Sequence, residues 1–150
     1  MRALIQRVSK AGVSIDGKQH AAIGHGLLVL LGVETGDTER QAGALASKVA
    51  KLRIFSDENG LMNLSCADVH GDFLVVSQFT LHADTRKGNR PSYMQAARPE
   101  KAIPLYELFL DALSRESGKV IQTGVFGADM KVELINDGPV TIMMDTREWE

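Results

Sequence analysis

The sequence holds a single cysteine, Cys66, so no disulfide can form within the chain. A lone thiol suits a reducing compartment, and a structural role is the plainer expectation for it than that of a nucleophile. Long apolar runs are also missing. The longest, Leu27–Leu31, falls far short of the roughly 20 residues that a membrane helix needs. The opening stretch "MRALIQRVSKAGVSIDG" has no apolar segment of the signal-peptide kind. A soluble cytoplasmic protein is expected. Neither sign of charge is in excess: 17 Lys and Arg stand against 19 Asp and Glu, a net of −2. Bulk charge therefore draws the chain to no polyanion, and any contact with nucleic acid must come from a local patch. There is no Gly-rich phosphate loop, no HExxH and no CxxC, which leaves a P-loop and a zinc site without support. The four histidines, His20, His25, His70 and His82, lack metal-ligand spacing, and each is expected at the surface or in a hydrogen bond. No metal and no cofactor are implied.

What is present is enough for one folded domain. With 150 residues and 44% hydrophobic content, the chain can bury a substantial core. Glycine, asparagine and aspartate punctuate it throughout, with no repeat and no low-complexity linker. Residues 2–8 alternate loosely and predict a strand, and Asp16-Gly17 predicts a tight hairpin turn. "GLLVLLGV" (26–33) predicts a strand buried on both faces. Residues 37–55 predict a helix, with Thr38 and Gln41 placed as a capping box and Ala42, Leu45, Ala46, Val49 and Leu52 on one face. "SDENG" (56–60) reads as a turn and "LMNLS" as a short strand. "GDFLVVSQF" (71–79) predicts a strand. A second helix is expected over 98–118, between Pro99 and Gly118, with Pro104 early in it or bending it. "KVIQTGVF" (119–126) predicts a strand, and 130–137 with 139–146 predict a closing hairpin split at Asp137-Gly138. About seven strands and two isolated helices make an α+β single domain, with mostly antiparallel sheets or a small barrel under two covering helices.

Three stretches carry polar groups of chemical interest. In "SQFT" a strand ends in Ser77, Gln78, Phe79 and Thr80. Small polar residues at a strand end often do no more than satisfy backbone groups. The same groups could also supply donors for an oxyanion in acyl transfer. No general base stands near Thr80 in the sequence. "ADTRKGNRPS" gathers Arg86, Lys87 and Arg90 around Gly88, either as a solvated loop or as a phosphate clamp. "NDGPVT" reads as a turn, yet Gly138-Pro139 also presents two carbonyls on a stiff tip.

Taken together, "SQFT" and "NDGPVT", with "MRALIQRVSKAGVSIDG", "GLLVLLGVETGDT", "LRIFSDENGLMNLS" and "FGADMKVELINDGPVT", resemble the D-aminoacyl-tRNA deacylases of bacterial and eukaryotic type. The resemblance runs through nearly the whole chain. It implies a homodimer that hydrolyses the ester between a D-amino acid and the 3′-terminal adenosine of tRNA, with active sites at the subunit interface. It implies that Gly138-Pro139, as a cis peptide, enters the partner subunit's pocket, holds the substrate ammonium and rejects L side chains. Glycine mischarged on tRNA, having no side chain to reject, is implied as a further substrate. Ser77, Gln78, Phe79 and Thr80 would line the catalytic pocket, with Thr80 positioning while the tRNA 2′-hydroxyl assists. Phe126 and Met130 would join the pocket, Arg7 would buttress the tip, and Arg86, Lys87 and Arg90 would bind tRNA. Where family members often have an aromatic at 82 and a basic residue at 89, this chain has His82 and Asn89. Two other readings of the same residues are a non-catalytic RNA-binding module and a small-ester hydrolase that uses an activated nucleophile.

Overall fold

A computed structural model describes all residues, 1–150. In chain order the elements are β1 (Arg2–Ile15), β2 (Lys18–Ile23), β3 (Gly26–Gly32), α1 (Glu39–Ala50), β4 (Phe55–Ser56), β5 (Met62–Leu64), β6 (Asp72–Ser77), α2 (Pro99–Ser117), β7 (Gln122–Thr123) and β8 (Lys131–Asp145). Short 3₁₀ turns follow β6 at Phe79–His82 and β8 at Thr146–Trp149. The main sheet runs β2-β1-β3-β6-β7, with β8 on the other edge of β1, and β4 and β5 form a separate ribbon. The result is an α+β domain whose sheet curls into a nearly closed barrel under two helices.

The long β1 organises the sheet. Its first half pairs with β3, from Arg2↔Gly32 to Val8↔Gly26, and its second half pairs with β2 beyond Ala11↔Ile23. The turn between β1 and β2 has Asp16 at φ 52° and Gly17 at φ 76°, the backbone that a tight primed hairpin turn demands. Strands β3 and β6 pair in parallel and are buried on both faces. Leu27, Val29, Leu31, Phe73 and Val75 point into the large core beneath α1 and α2, while Leu28, Leu74 and Val76 fill the barrel interior. The alternation of strand side chains divides one apolar run between two cores. Each such fully buried side chain contributes about 1.5–3 kcal/mol.

Four sequence expectations need correction. The 71–79 strand stops at Ser77. Gln78 N–H donates the last ladder bond to the Leu31 carbonyl at 2.7 Å, and the backbone then coils so that Leu81 N–H reaches the Gln78 carbonyl. The strand expected over 119–126 is reduced to Gln122–Thr123, because only these residues find partners, Leu74 and Val75. The helix expected over 37–55 ends at Ala50, and by Phe55 the backbone is already paired to Leu64. The closing hairpin is not a hairpin. Both halves of β8 pair with the same strand: Val13↔Val132 to Val8↔Asn136, then Gln6↔Thr141 to Arg2↔Asp145. Residues 137–140 have no partner on β1 and protrude opposite Arg7. An Asp-Gly-Pro sequence reads the same whether it joins two paired strands or interrupts one, so only the register distinguishes them. In α2, Pro99 occupies the first turn, Pro104 lies inside the helix and Gly118 ends it at φ 70°.

Candidate active site

Where β6 gives out, a cleft of about 330 Å³ opens between the sheet, α2 and the loop before β8. Leu31, Val33, Val76, Ala102 and Tyr106 form its apolar floor, and Ser77, Gln78 and Phe79 form one wall. Phe126, Gly127, Ala128, Asp129, Met130 and Val132 form the facing wall. Tyr106 falls inside the helix expected over 98–118, and its role in the floor follows from packing. Its hydroxyl donates to the Val75 carbonyl at 3.2 Å, its ring meets Phe126 edge-on, and burial pushes its pKa up to about 12. Tyr106 is therefore a neutral part of the floor near neutral pH.

The turn Phe79–His82 sets the polar rim. The N–H groups of Phe79 and Thr80 open this turn, where first-turn N–H groups have no acceptor within the helix, and no side chain caps them. Gln78 Nε2 donates to Thr80 Oγ1 at 2.5 Å. The Thr80 oxygen thus accepts, and its own proton remains available. No carboxylate or imidazole bonds to Thr80. The turn is anchored from behind by Arg2, whose Nη1 donates to the Leu81 carbonyl at 2.7 Å and whose Nε donates to Asp145 at 2.8 Å. Burial alone would raise the Asp145 carboxyl, but hydrogen bonds from Arg147 and Arg2 outweigh it and hold the group well below the ordinary carboxylate range.

His82 departs from the sequence expectation. It is fully buried, and neither ring nitrogen has a hydrogen-bond partner. Gly32 makes the room for it, since a Cβ there would come within 3.0 Å of the imidazole. Desolvation lowers the His82 pKa from its ordinary value, so the ring is held neutral behind the rim.

Gly138 and Pro139 are exposed and do not line the cleft of their own chain. Their peptide bond is cis. Arg7, the β1 residue facing the gap in register, donates from Nε to the Asp137 carbonyl at 2.8 Å and from Nη1 to the Ile54 carbonyl at 2.7 Å. Asn136, which the sequence did not single out, closes the neck. Its Oδ1 accepts from Val140 N–H at 2.8 Å and its Nδ2 donates to Thr141 Oγ1 at 2.9 Å. An Asn four residues before a buried backbone donor was the available signal, but it becomes legible only with the protrusion in view.

The basic loop lies outside the cleft, pinched by paired bonds between Asp84 and Ser92 at 2.7 and 2.9 Å. The Arg86 fork is occupied by Asp84, with Nε and Nη2 donating at 2.9 and 2.6 Å. These bonds hold Asp84 down at about 2. Lys87 and Arg90 are exposed and form no ion pair. No cluster of three or more His, Cys, Asp or Glu side chains is placed to hold a metal. Cys66 is buried, and desolvation pushes its thiol up to about 12, away from nucleophilic use. No helix is long and apolar enough to cross a membrane.

Residues 4–145 match the family described as D-Tyr-tRNA(Tyr) deacylase. Two relatives named D-aminoacyl-tRNA deacylase, from Akkermansia muciniphila and Flavobacterium johnsoniae, are 61% and 59% identical over 150 residues, the whole of both chains in each case. Among solved structures, one described as c-Myc DNA Unwinding Element Binding Protein is 40% identical, with a TM-score of 0.90 over 97% of this chain and 98% of that one. Another, a probable eukaryotic D-amino acid tRNA deacylase, shares the fold with a TM-score of 0.82 at 16% identity, over 95% of this chain and 97% of its own.

Proposed function

The chain belongs to the D-Tyr-tRNA(Tyr) deacylase family, and from that premise we propose that residues 1–150 are one deacylase domain. It hydrolyses the ester between a D-amino acid and the 3′-terminal adenosine of tRNA, in the cytoplasm. The observation that carries this reading is the pair of uncapped first-turn N–H groups at Phe79 and Thr80, on the rim of a cleft walled by apolar groups.

The chemistry follows from these groups. Water attacks the ester carbonyl, and the developing oxyanion takes the two N–H donors. The bond between the carbonyl carbon and the ribose oxygen then breaks, releasing the amino acid and tRNA. Thr80, oriented by Gln78, positions the reacting groups and does not attack, because no base stands within its hydrogen bonds. The 2′-hydroxyl of the terminal ribose supplies the proton relay that the protein lacks. Ser77, Phe126 and Met130 shape the pocket around the ester and the adenosine.

The working unit is a homodimer in which Gly138-Pro139 of one chain enters the partner subunit's cleft. Support comes from the position of the tip, exposed and outside the lining of its own cleft. It comes also from β8, whose outer edge is unpaired and exposes Ile135 and Met143. The tip carbonyls hold the substrate ammonium, an L side chain collides with the tip, and a D side chain points away. Glycine has nothing to collide and is cleaved as well. Lys87 and Arg90, with a lesser part for Arg86, bind the tRNA backbone.

Matched D- and L-tyrosyl-tRNA, incubated with the purified protein with and without a chelator, test the reading. Rapid loss of the D ester with the L ester spared is expected. Equal loss of both would indicate an unselective esterase. Loss of neither, with tRNA still bound, would indicate an RNA-binding module.

A further inference from the structure

We propose that Phe79 and Tyr93 form a base-stacking platform for the nucleotide next to the terminal adenosine of tRNA, a reading that rests on the deacylase function above. The chain is poor in aromatic residues, at 5%. Two of them nevertheless stand together in solvent, Phe79 at 55% and Tyr93 at 40% exposure. Their centroids are 5.2 Å apart at 74°, an edge-to-face pair that leaves ring face open. Leaving two such rings wet forgoes burial energy, and a planar occupant would recover it.

The position of the pair identifies the occupant. Phe79 lines the cleft and Tyr93 does not, so the pair bridges from inside the cleft to outside it. The terminal adenosine is taken within, and the strand that leaves it passes the rim. The pinch at Asp84 and Ser92 delivers Tyr93 directly after the basic loop, so the exposed cations Lys87 and Arg90 come from the same short segment as the ring. Flat aromatic faces on the same short segment as unpaired cations offer a single-stranded nucleic acid what it requires: a stack for the base and a charge for the phosphate. The 3′ end of tRNA is single-stranded. An apolar peptide would use the rings but not the cations.

The test compares D-tyrosyl-tRNA with D-tyrosyl adenosine, which lacks the penultimate nucleotide. Tyr93→Ala is expected to raise KM for the tRNA roughly tenfold, the scale of one lost base stack, with kcat little changed. The rise for D-tyrosyl adenosine should be much smaller, and Tyr93→Phe should restore the tRNA KM. Titration with uncharged CpCpA should show the same roughly tenfold loss of affinity in Tyr93→Ala. If Tyr93→Ala melts early, Tyr93→Leu keeps bulk and removes the stacking face. Equal rises on both substrates would overturn the proposal, since the ring would then serve only the adenosine site. Unchanged KM on both would also overturn it. So would loss of self-association by a folded Tyr93 variant, which would assign the ring to a second copy. Should the wild type cleave neither substrate while CpCpA binding still depends on Tyr93, the platform stands and the deacylase reading fails.

Discussion

Arg7 and Asp137 are joined across the gap in strand register, with Arg7 Nε donating to the Asp137 carbonyl at 2.8 Å. The same guanidinium also donates to Ile54, so one side chain ties the protruding tip to the segment after α1. Its ion pair with the half-exposed Asp137 carboxylate spans 4.0 Å and adds little. Arg7→Ala should cost about 1.5–3 kcal/mol of stability, the range for a hydrogen bond from a charged group. It should also narrow the D-over-L preference. Arg7→Lys retains charge but not the fork, and should recover stability more than selectivity. Chemical denaturation and paired D and L assays distinguish the two effects.

Gly138 and Asn136 shape the tip from inside. Gly138 sits at φ +150°, and a Cβ there would come within 2.7 Å of Val140 Cγ2 and 2.8 Å of Val140 N. Gly138→Ala should therefore distort the tip at a cost of about 1–3 kcal/mol. Asn136→Ala removes the acceptor of Val140 N–H and should cost about 1–3 kcal/mol. Both variants should lose deacylation more than they lose melting temperature. Unaltered activity in a folded Gly138→Ala protein would remove the tip from the mechanism.

Charge in the 84–92 loop is not equivalent at each cation. Lys87→Ala and Arg90→Ala should each weaken tRNA binding and reduce the salt slope by roughly one. Arg86→Ala should do less, because Asp84 already neutralises that fork. Binding titrations across a salt series measure this, and slopes unchanged from wild type in all three variants would return the loop to a solvated surface.

His82 predicts an acid limit to stability. Its pKa is lowered in the fold, chiefly by desolvation, against an unfolded value of about 6.5. The neutral ring is compatible with the fold and the charged ring is not, so stability is full above about pH 6.5 and falls as pH drops below it. Around the ring, the Gly32 backbone and Glu34 favour its proton while Arg2 and the Met1 ammonium oppose it. His82→Phe leaves no orphaned nitrogen and should flatten the decline below about pH 6.5. Denaturation midpoints across that range provide the check, and an unchanged decline would assign it to another group.

Local chemistry made much of the fold legible. The turn at Asp16-Gly17 was readable because few other residues accept two positive φ values in succession. The burial of β3 on both faces was readable because no polar residue interrupts Leu27–Leu31. The helix bounds at Thr38, Pro99 and Gly118 were readable from capping chemistry. Register was not readable. The two halves of β8 share β1 as partner, and the choice between a hairpin and an interrupted strand lies in pairings more than a hundred residues apart in the chain. The end of β6 was lost for a related reason: Phe79 has strong strand preference, but no neighbouring strand extends to pair with it.

The sequence by itself determined the residue types at the site, the family resemblance and the α+β class, since these depend on local composition, spacing and turn chemistry. Only the tertiary structure decided that Arg86 is spent on Asp84, that His82 is dry, that Tyr93 stands against Phe79, and that Gly138-Pro139 protrudes from a continuous strand opposite Arg7. Each of these is a relation between side chains and a particular packed surface. A side chain's partners, and the water it loses, are set by where distant segments meet, and no window of sequence contains that information.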